Sequence, residues 1–104
     1  MGYYTDYVAS CKENPNHFAE KIDFHGGSLV NGHSPESCKW YEHETDMIKY
    51  SKQYPELTFA LKGEGEEAGD VWIKYFKNGK ITTHRPFDEL YTKMNKNIFC
   101  FLDE

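Results

Sequence analysis

Two apolar stretches in the middle of the chain, joined by turns, restrict the fold more than any other feature. Leu57, Phe59 and Leu61 alternate with polar or small residues, which is typical of a strand that buries one face. Residues 71–76 are largely β-branched or aromatic, and the Asn-Gly pair at 78–79 favours a type I′ hairpin turn. This part of the chain is therefore predicted to form neighbouring antiparallel strands.

Helical spacing of apolar residues and further strand-like segments extend this prediction to the rest of the chain. The helices are expected over residues 15–23, 43–54 and 87–96, the strands over 3–11 and 37–42, and a last strand or extended tail over 98–102. At 104 residues the chain is expected to be one domain. The predicted fold class is α+β, an antiparallel sheet of four or five strands with two or three helices mainly on one face.

The charge balance argues against nucleic acid as a direct partner. The chain has 12 Lys and Arg residues against 17 Asp and Glu residues, a net charge of −5. Binding to a phosphate backbone requires clustered cations that displace counterions. A basic protein surface is the more suitable partner for an acidic domain.

The start of the chain and its cysteines indicate a cytoplasmic protein. No apolar run approaches the length of a membrane span, and the first residues lack the pattern of a signal peptide. Three widely spaced cysteines fit reduced thiols better than a disulfide framework. No membrane association is expected.

A glycine-rich stretch between the two central apolar segments carries four carboxylates. They are Glu64, Glu66, Glu67 and Asp70. The stretch lacks the register of an EF-hand, so calcium is not expected. The carboxylates either contact a basic partner or only keep a tight turn solvated, and the sequence leaves both interpretations open.

Aromatic residues near this stretch are candidates for partner contacts. Trp40, Tyr41, Trp72 and Tyr75 are of the residue types that dominate interface energies. Packing in the core is the alternative for each ring. Because side chains alternate along a strand, Trp72 and Tyr75 are expected on opposite faces.

The histidines and cysteines do not predict a metal site or a cofactor. His33, Cys38 and His43 are five residues apart, whereas structural zinc sites usually contain a closer pair of ligands. Cys38 with His43 or His84 could in principle form a nucleophile and base. A cysteine beside aromatic residues is more typical of a small apolar side chain, so the chain is not expected to be an enzyme.

The middle of the chain, residues 38–80, resembles a known group of short proteins. The matching segments are WYEHE (40–44), DM (46–47), SK (51–52), YP (54–55), GEGEE (63–67), GD (69–70), W (72), YF (75–76) and NGK (78–80). This pattern is similar to that of the YubB-like proteins, which occur mainly in phages and prophages. The resemblance implies a ferredoxin-like fold and a mobile-element setting, but it transfers no catalytic residue.

Together these observations predict a small acidic binding protein of phage or prophage origin. It is expected to occupy and inhibit or modulate a host protein, such as a component of antiviral defence. The alternative is a protein that binds or sequesters a nucleotide-like small molecule. The sequence leaves open whether the chain forms a homo-oligomer.

Overall fold

The structure is a computed structural model that describes residues 5–24, 27–34, 40, 42–65, 70–84 and 98–99. Within these ranges the chain forms six strands and one helix. In chain order they are β1 (Thr5–Cys11), β2 (Ile22–Phe24), β3 (Gly27–Leu29), α1 (His43–Gln53), β4 (Phe59–Gly65), β5 (Val71–Lys77) and β6 (Lys80–His84).

The main sheet has four antiparallel strands in the order β1-β4-β5-β6. Phe59 of β4 pairs with Phe76 of β5, which confirms that the two central apolar segments are neighbours. Asn78 and Gly79 have φ angles of 47° and 80°, as the predicted type I′ turn between β5 and β6 requires. The hairpin prediction is therefore confirmed.

The segment that follows a second, small sheet covers the outer edge of β1. Strands β2 and β3 pair with each other, and the chain then turns back through Gly32, whose φ is 82°. The Ala9 amide donates a hydrogen bond to the Gly32 carbonyl oxygen at 2.6 Å, and the Ser34 amide donates to the Tyr7 carbonyl oxygen at 2.9 Å. These bonds satisfy edge groups that would otherwise be open to pairing with another chain.

Helix α1 packs on one face of the main sheet, called the helix face. Acidic residues in its first turn and Lys52 in its last turn suit the helix dipole. Met47 and Ser51, one turn apart, are its buried residues. The Ser51 hydroxyl accepts a hydrogen bond from the Gly79 amide at 2.9 Å, which attaches the helix to the β5–β6 turn.

The main core lies between α1 and the sheet and is rich in aromatic rings. Its buried residues are Tyr7, Ala9, Cys11, Phe18, Leu29, Trp40, Met47, Phe59, Leu61, Trp72 and Phe76. The predicted core positions Phe59 and Leu61 are fully buried, and Leu57 is partly buried against the same cluster.

The opposite face of the sheet, called the distal face, has a smaller apolar cluster. Ala60, Ile73 and Tyr75 are buried there, and Ile98 and Phe99 pack against them. The Tyr75 hydroxyl donates a hydrogen bond to the Ile98 carbonyl oxygen. Burial on both faces explains why β5 has an almost continuous apolar sequence.

The predicted ferredoxin-like fold with two or three helices is wrong. The described residues form a largely β structure with a single helix. The helix expected over 15–23 is replaced by turns and by β2, because the Asn14 side chain and carbonyl oxygen accept hydrogen bonds from the Asn16 and His17 amides. Phe18 then enters the main core, while Ile22 pairs with Leu29 in the small sheet.

The other predicted elements are only partly within the described residues. The helix over 87–96 lies outside them, as does most of the strand over 37–42. Of the final segment, Ile98 and Phe99 lie in a turn rather than a strand. In the described part of the chain, the single helix is too short and too polar to cross a membrane.

Candidate functional site

Two carboxylates, Asp6 and Glu64, lie at one end of the main sheet, on its distal face. Asp6 of β1 is the direct cross-strand partner of Glu64 in β4. Asp70 precedes β5, and its carbonyl oxygen accepts a hydrogen bond from the Gly65 amide at 2.9 Å. We call Asp6, Glu64 and Asp70 the acidic end. Glu66 and Glu67 lie outside the described residues.

The acidic end places like charges next to each other. Two carboxylates that face each other across antiparallel strands destabilise the sheet by a fraction of a kcal/mol to about 1 kcal/mol. The Lys62 ammonium, two residues before Glu64 on the same strand, lies 3.8 Å from the Glu64 carboxylate and offsets part of this repulsion. The acidic end is therefore held by strands rather than by a loop alone.

Three of the four predicted aromatic contacts are interior residues in this structure. Trp40, Trp72 and Tyr75 are 1%, 6% and 3% exposed, respectively. Trp72 and Tyr75 do lie on opposite faces, as the alternation predicts, but both faces are covered at those positions. Tyr41 lies outside the described residues. Trp40, Trp72 and Tyr75 therefore offer little surface to a partner, whereas a contact by Tyr41 stays a prediction.

A half-buried histidine and lysine form a network that the sequence did not predict. The His43 Nε2 atom lies 2.6 Å from the Lys74 ammonium, and Nδ1 lies 2.9 Å from the Trp40 carbonyl oxygen. Because an ammonium group can only donate, Nε2 accepts from Lys74, and Nδ1 carries the proton donated to Trp40. Both ring nitrogens of a neutral His43 are therefore engaged.

The Trp72 indole contacts both the His43 ring and the Lys74 ammonium. We call His43, Lys74, Trp72 and Glu44 the His43 cluster. The His43 ring stacks on the indole with centroids 5.0 Å apart, and the Lys74 ammonium lies 4.3 Å from the ring centre. Glu44 is 3.8 Å from the same ammonium. A ring face and a carboxylate thus stabilise a lysine whose side chain is only 12% exposed.

One sequence signal pointed to this cluster. Lys74 interrupts an otherwise apolar strand and shares a face with Trp72 and Phe76. A lysine on the core-facing side of a buried strand needs partners, because a buried charge is costly without them. The sequence could indicate the need for partners but not their identity.

The pH dependence of stability should report on the His43 cluster. Burial lowers the pKa of His43 from its ordinary value of 6.5, while the hydrogen bond to the Trp40 carbonyl oxygen opposes this shift. The unfolded chain then binds more protons below about pH 6.5, so stability is complete above that pH and decreases as the pH falls. We expect the melting temperature to decrease between pH 7 and pH 5, and to decrease less in His43→Gln.

The control for this measurement is His33→Gln, since His33 is exposed and outside the cluster. Burial also lowers the pKa of His17, so part of the pH dependence should persist in His43→Gln. Parallel pH profiles for wild type and His43→Gln would show that His43 is not protonated differently in the folded and unfolded states.

The described residues give no geometric support for a cysteine nucleophile or for a metal site. Cys38 lies outside the described residues, so its distances to His43 and His84 are not defined. Cys11 is a buried free thiol in the core. Among the described residues, no group of three or more His, Cys, Asp or Glu side chains could hold a metal ion.

The comparisons with known proteins assign no family. The fold that the YubB-like resemblance implies disagrees with the structure, and the mobile-element setting stays a prediction. No protein-family model matches the chain, and no curated protein or solved structure matches it either.

Proposed function

We propose that this chain is a non-enzymatic binding protein whose acidic end occupies a basic surface on a partner protein. The observation that carries the proposal is the register that makes Asp6 and Glu64 direct cross-strand partners, while Asp70 immediately precedes Val71, the partner of Glu64 in β5. This register joins the N-terminal strand to the glycine-rich segment and concentrates negative charge in one place.

The position of these carboxylates supports contact rather than solvation alone. A turn can be solvated by charges anywhere on a loop, whereas Asp6 and Glu64 lie within paired strands. Charges held on a rigid element lose little freedom on binding, so they contribute more to recognition than charges on a mobile chain.

Electrostatics is expected to carry much of the interaction, because the predicted contacts Trp40, Trp72 and Tyr75 are buried. Trp40, Trp72 and Tyr75 support the fold, so they contribute to binding only by keeping the strands in place. Complementary charge mainly accelerates association and selects the partner. We therefore expect a salt-sensitive interaction with a basic protein surface.

The engagement of His43 supports a non-enzymatic role. Both of its ring nitrogens are engaged, by Lys74 and by the Trp40 carbonyl oxygen, so neither is free to take a proton from a substrate. The phage or prophage origin, the cytoplasmic location in a host cell and the inhibition of an antiviral-defence component rest on the sequence alone and form part of this proposal.

Neutralising the acidic end should slow association without unfolding the protein. We expect Glu64→Gln with Asp70→Asn to reduce the association rate at low salt about tenfold, because steering depends on complementary charge. The free energy of unfolding should change by less than about 1 kcal/mol, since partly exposed charges contribute little. Stopped-flow association with a partner isolated on the wild-type protein measures the first effect, and urea denaturation measures the second.

The matched control is Glu20→Gln with Glu56→Gln, which removes the same charge at two exposed positions outside the acidic end. A third variant, Glu66→Gln with Glu67→Gln, extends the test to the rest of the carboxylate segment. If the acidic-end variant and the control associate at equal rates with equal salt dependence, the carboxylates do not contribute to partner binding. Their role would then be limited to keeping this end of the sheet solvated.

A further inference from the structure

The end of the distal face opposite the acidic end has the opposite charge. Lys12 follows β1, Thr58 precedes β4, Lys77 ends β5 and Lys80 begins β6. The Lys12 amide donates to the Thr58 carbonyl oxygen at 2.9 Å, and Lys77 is the direct cross-strand partner of Lys80. The four residues thus form one row across the sheet, in strand order.

This row borders an open groove of about 550 Å³, which we call the lysine groove. Its described lining residues include the cations Lys12, Lys77 and Lys80 and the exposed or polar residues Pro55, Thr58 and Thr82. None of them is acidic. The volume lies within the range of about 300–1,000 Å³ that is usual for small-molecule sites.

One carboxylate, Glu13, contacts the row directly. One of its oxygens accepts from the Thr58 amide at 2.6 Å, and the other accepts from the Thr58 hydroxyl at 2.9 Å. Burial raises the pKa of Glu13, but the hydrogen bonds to Thr58 and the charge of Lys77 outweigh this and lower it, so Glu13 stays ionised. One carboxylate beside three lysines leaves the row with a net positive charge. Three of the 12 cationic side chains of an acidic protein therefore surround one groove.

The spacing of the lysines indicates the size of a matching anion. Neighbouring strands are about 4.8 Å apart, so Lys77 and Lys80 are separated by one strand spacing at the backbone. Lys12 is two strand spacings from Lys77, about 10 Å. A single phosphate group can contact Lys77 and Lys80, whereas reaching Lys12 as well requires a second or third phosphate.

We propose that the lysine groove binds a small ligand with a di- or triphosphate group. The phosphates lie along the row from Lys80 and Lys77 towards Lys12, and the remainder of the ligand lies against the exposed residues Pro55 and Thr82. Bound anions would relieve the repulsion between Lys77 and Lys80, which face each other across the hairpin. This site is separate from the acidic end, so the inference goes beyond the proposed function.

The distal face as a whole favours a small ligand over a polymeric anion. The acidic end lies about six residues along β5 from Lys77, which corresponds to about 20 Å at the usual rise per residue. An extended polyanion that follows the strands would meet Glu64 and Asp6 there. Three lysines also provide fewer phosphate contacts than the six to ten that are usual for a DNA-binding surface.

Titration with inorganic phosphates at constant ionic strength tests the proposal. Binding is followed by two-dimensional NMR of the backbone amides, with orthophosphate and tripolyphosphate as the probes. We expect tripolyphosphate to bind at least tenfold more tightly than orthophosphate, with the largest shifts at residues 77–82. Lys77→Gln with Lys80→Gln should weaken tripolyphosphate binding at least tenfold.

A second variant distinguishes the row from general charge attraction. Lys12→Gln should weaken tripolyphosphate binding several-fold and leave orthophosphate binding unchanged within twofold, because only the longer anion reaches Lys12. The matched control is Lys21→Gln with Lys49→Gln, two exposed lysines outside the groove, for which we expect wild-type affinities. The amide spectra of each variant also report whether it is folded.

Three results would overturn the proposal. The first is that wild type binds neither phosphate. The second is that the control variant loses as much affinity as the groove variants. The third is tighter binding of a poly-glutamate peptide or a DNA oligonucleotide than of tripolyphosphate, which would assign the groove to a macromolecule. The acidic-end variants are expected to bind tripolyphosphate normally, so failure here is distinct from failure of the proposed function.

Discussion

Replacing Phe59 with alanine should lower the free energy of unfolding by about 3–5 kcal/mol, the usual cost of truncating a buried phenylalanine. Phe59 is fully buried at the start of β4. Its ring lies 5.6 Å from that of Phe18 and 5.3 Å from that of Tyr50, so the cavity would open among rings from three separate segments. Such rings cannot all move to fill it.

Urea denaturation monitored by circular dichroism measures this effect. A small domain has a total stability of about 5–15 kcal/mol, so Phe59→Ala could be largely unfolded without denaturant. Phe59→Leu removes less volume and should keep the protein folded with a smaller loss. Val30→Ala is the control, since Val30 is 45% exposed. A Phe59→Ala transition at the same urea concentration as that of Val30→Ala would contradict the burial of this ring.

Local patterns in the sequence predicted the central strands but not the overall fold. The alternation around Phe59 and the Asn-Gly turn are local signals, and both are confirmed. The spacing of Phe18 and Ile22 also fits a helix, yet Phe18 lies in a turn and Ile22 in β2, and both pack on the main core. The choice between these outcomes depends on contacts that are distant in sequence, which a local pattern does not contain.

The candidate sites, like the fold, could be predicted only where their residues are close in sequence. Glu64 and Asp70 were predicted from their position in one short segment, whereas Asp6 joined them only through the register of β1 with β4. Lys12 and Lys77 are likewise 65 residues apart in number and meet only because β1, β4 and β5 are adjacent. Charge clusters made by strand order cannot be recognised before the order is known.

Burial of the aromatic residues was underestimated for a physical reason. Alternation correctly placed Trp72 and Tyr75 on opposite faces, and a sheet with one solvated face would have exposed one of them. Here the turn at Ile98 and Phe99 packs against Tyr75, while α1 and its neighbours cover Trp72. The covering segment lies more than 20 residues after Tyr75.

The Trp72 indole also explains why residue 63 is glycine. Gly63 is the cross-strand partner of Trp72, and a Cβ atom at Gly63 would lie 2.1 Å from Cζ2 of the indole. The ring has little freedom to move, because Tyr7 lies edge-on at 5.9 Å and His43 stacks on it at 5.0 Å. Gly63→Ala should therefore cost about 3 kcal/mol, at the upper end of the usual range for an overpacked core.

A double-mutant cycle identifies the indole as the cause. Trp72→Leu removes the indole atoms that the new methyl group would meet. Gly63→Ala should therefore cost less than about 1 kcal/mol in that background. The cost of Trp72→Leu alone is measured separately and subtracted. Equal costs of Gly63→Ala in the two backgrounds would show that the strain arises from the backbone of β4 rather than from the ring.

Gly63→Ala should also affect the His43 cluster, because it displaces the Trp72 indole. Burial against the indole contributes to the lowered pKa of His43, so moving the ring lets water approach the imidazole and raises the pKa towards its ordinary value. NMR titration of the His43 ring in folded Gly63→Ala measures this shift, and Gly63→Ala in the Trp72→Leu background should add little to it. A destabilised Gly63→Ala protein with an unchanged His43 titration would show that the indole moves without leaving the imidazole, so that the two rings shift as one unit.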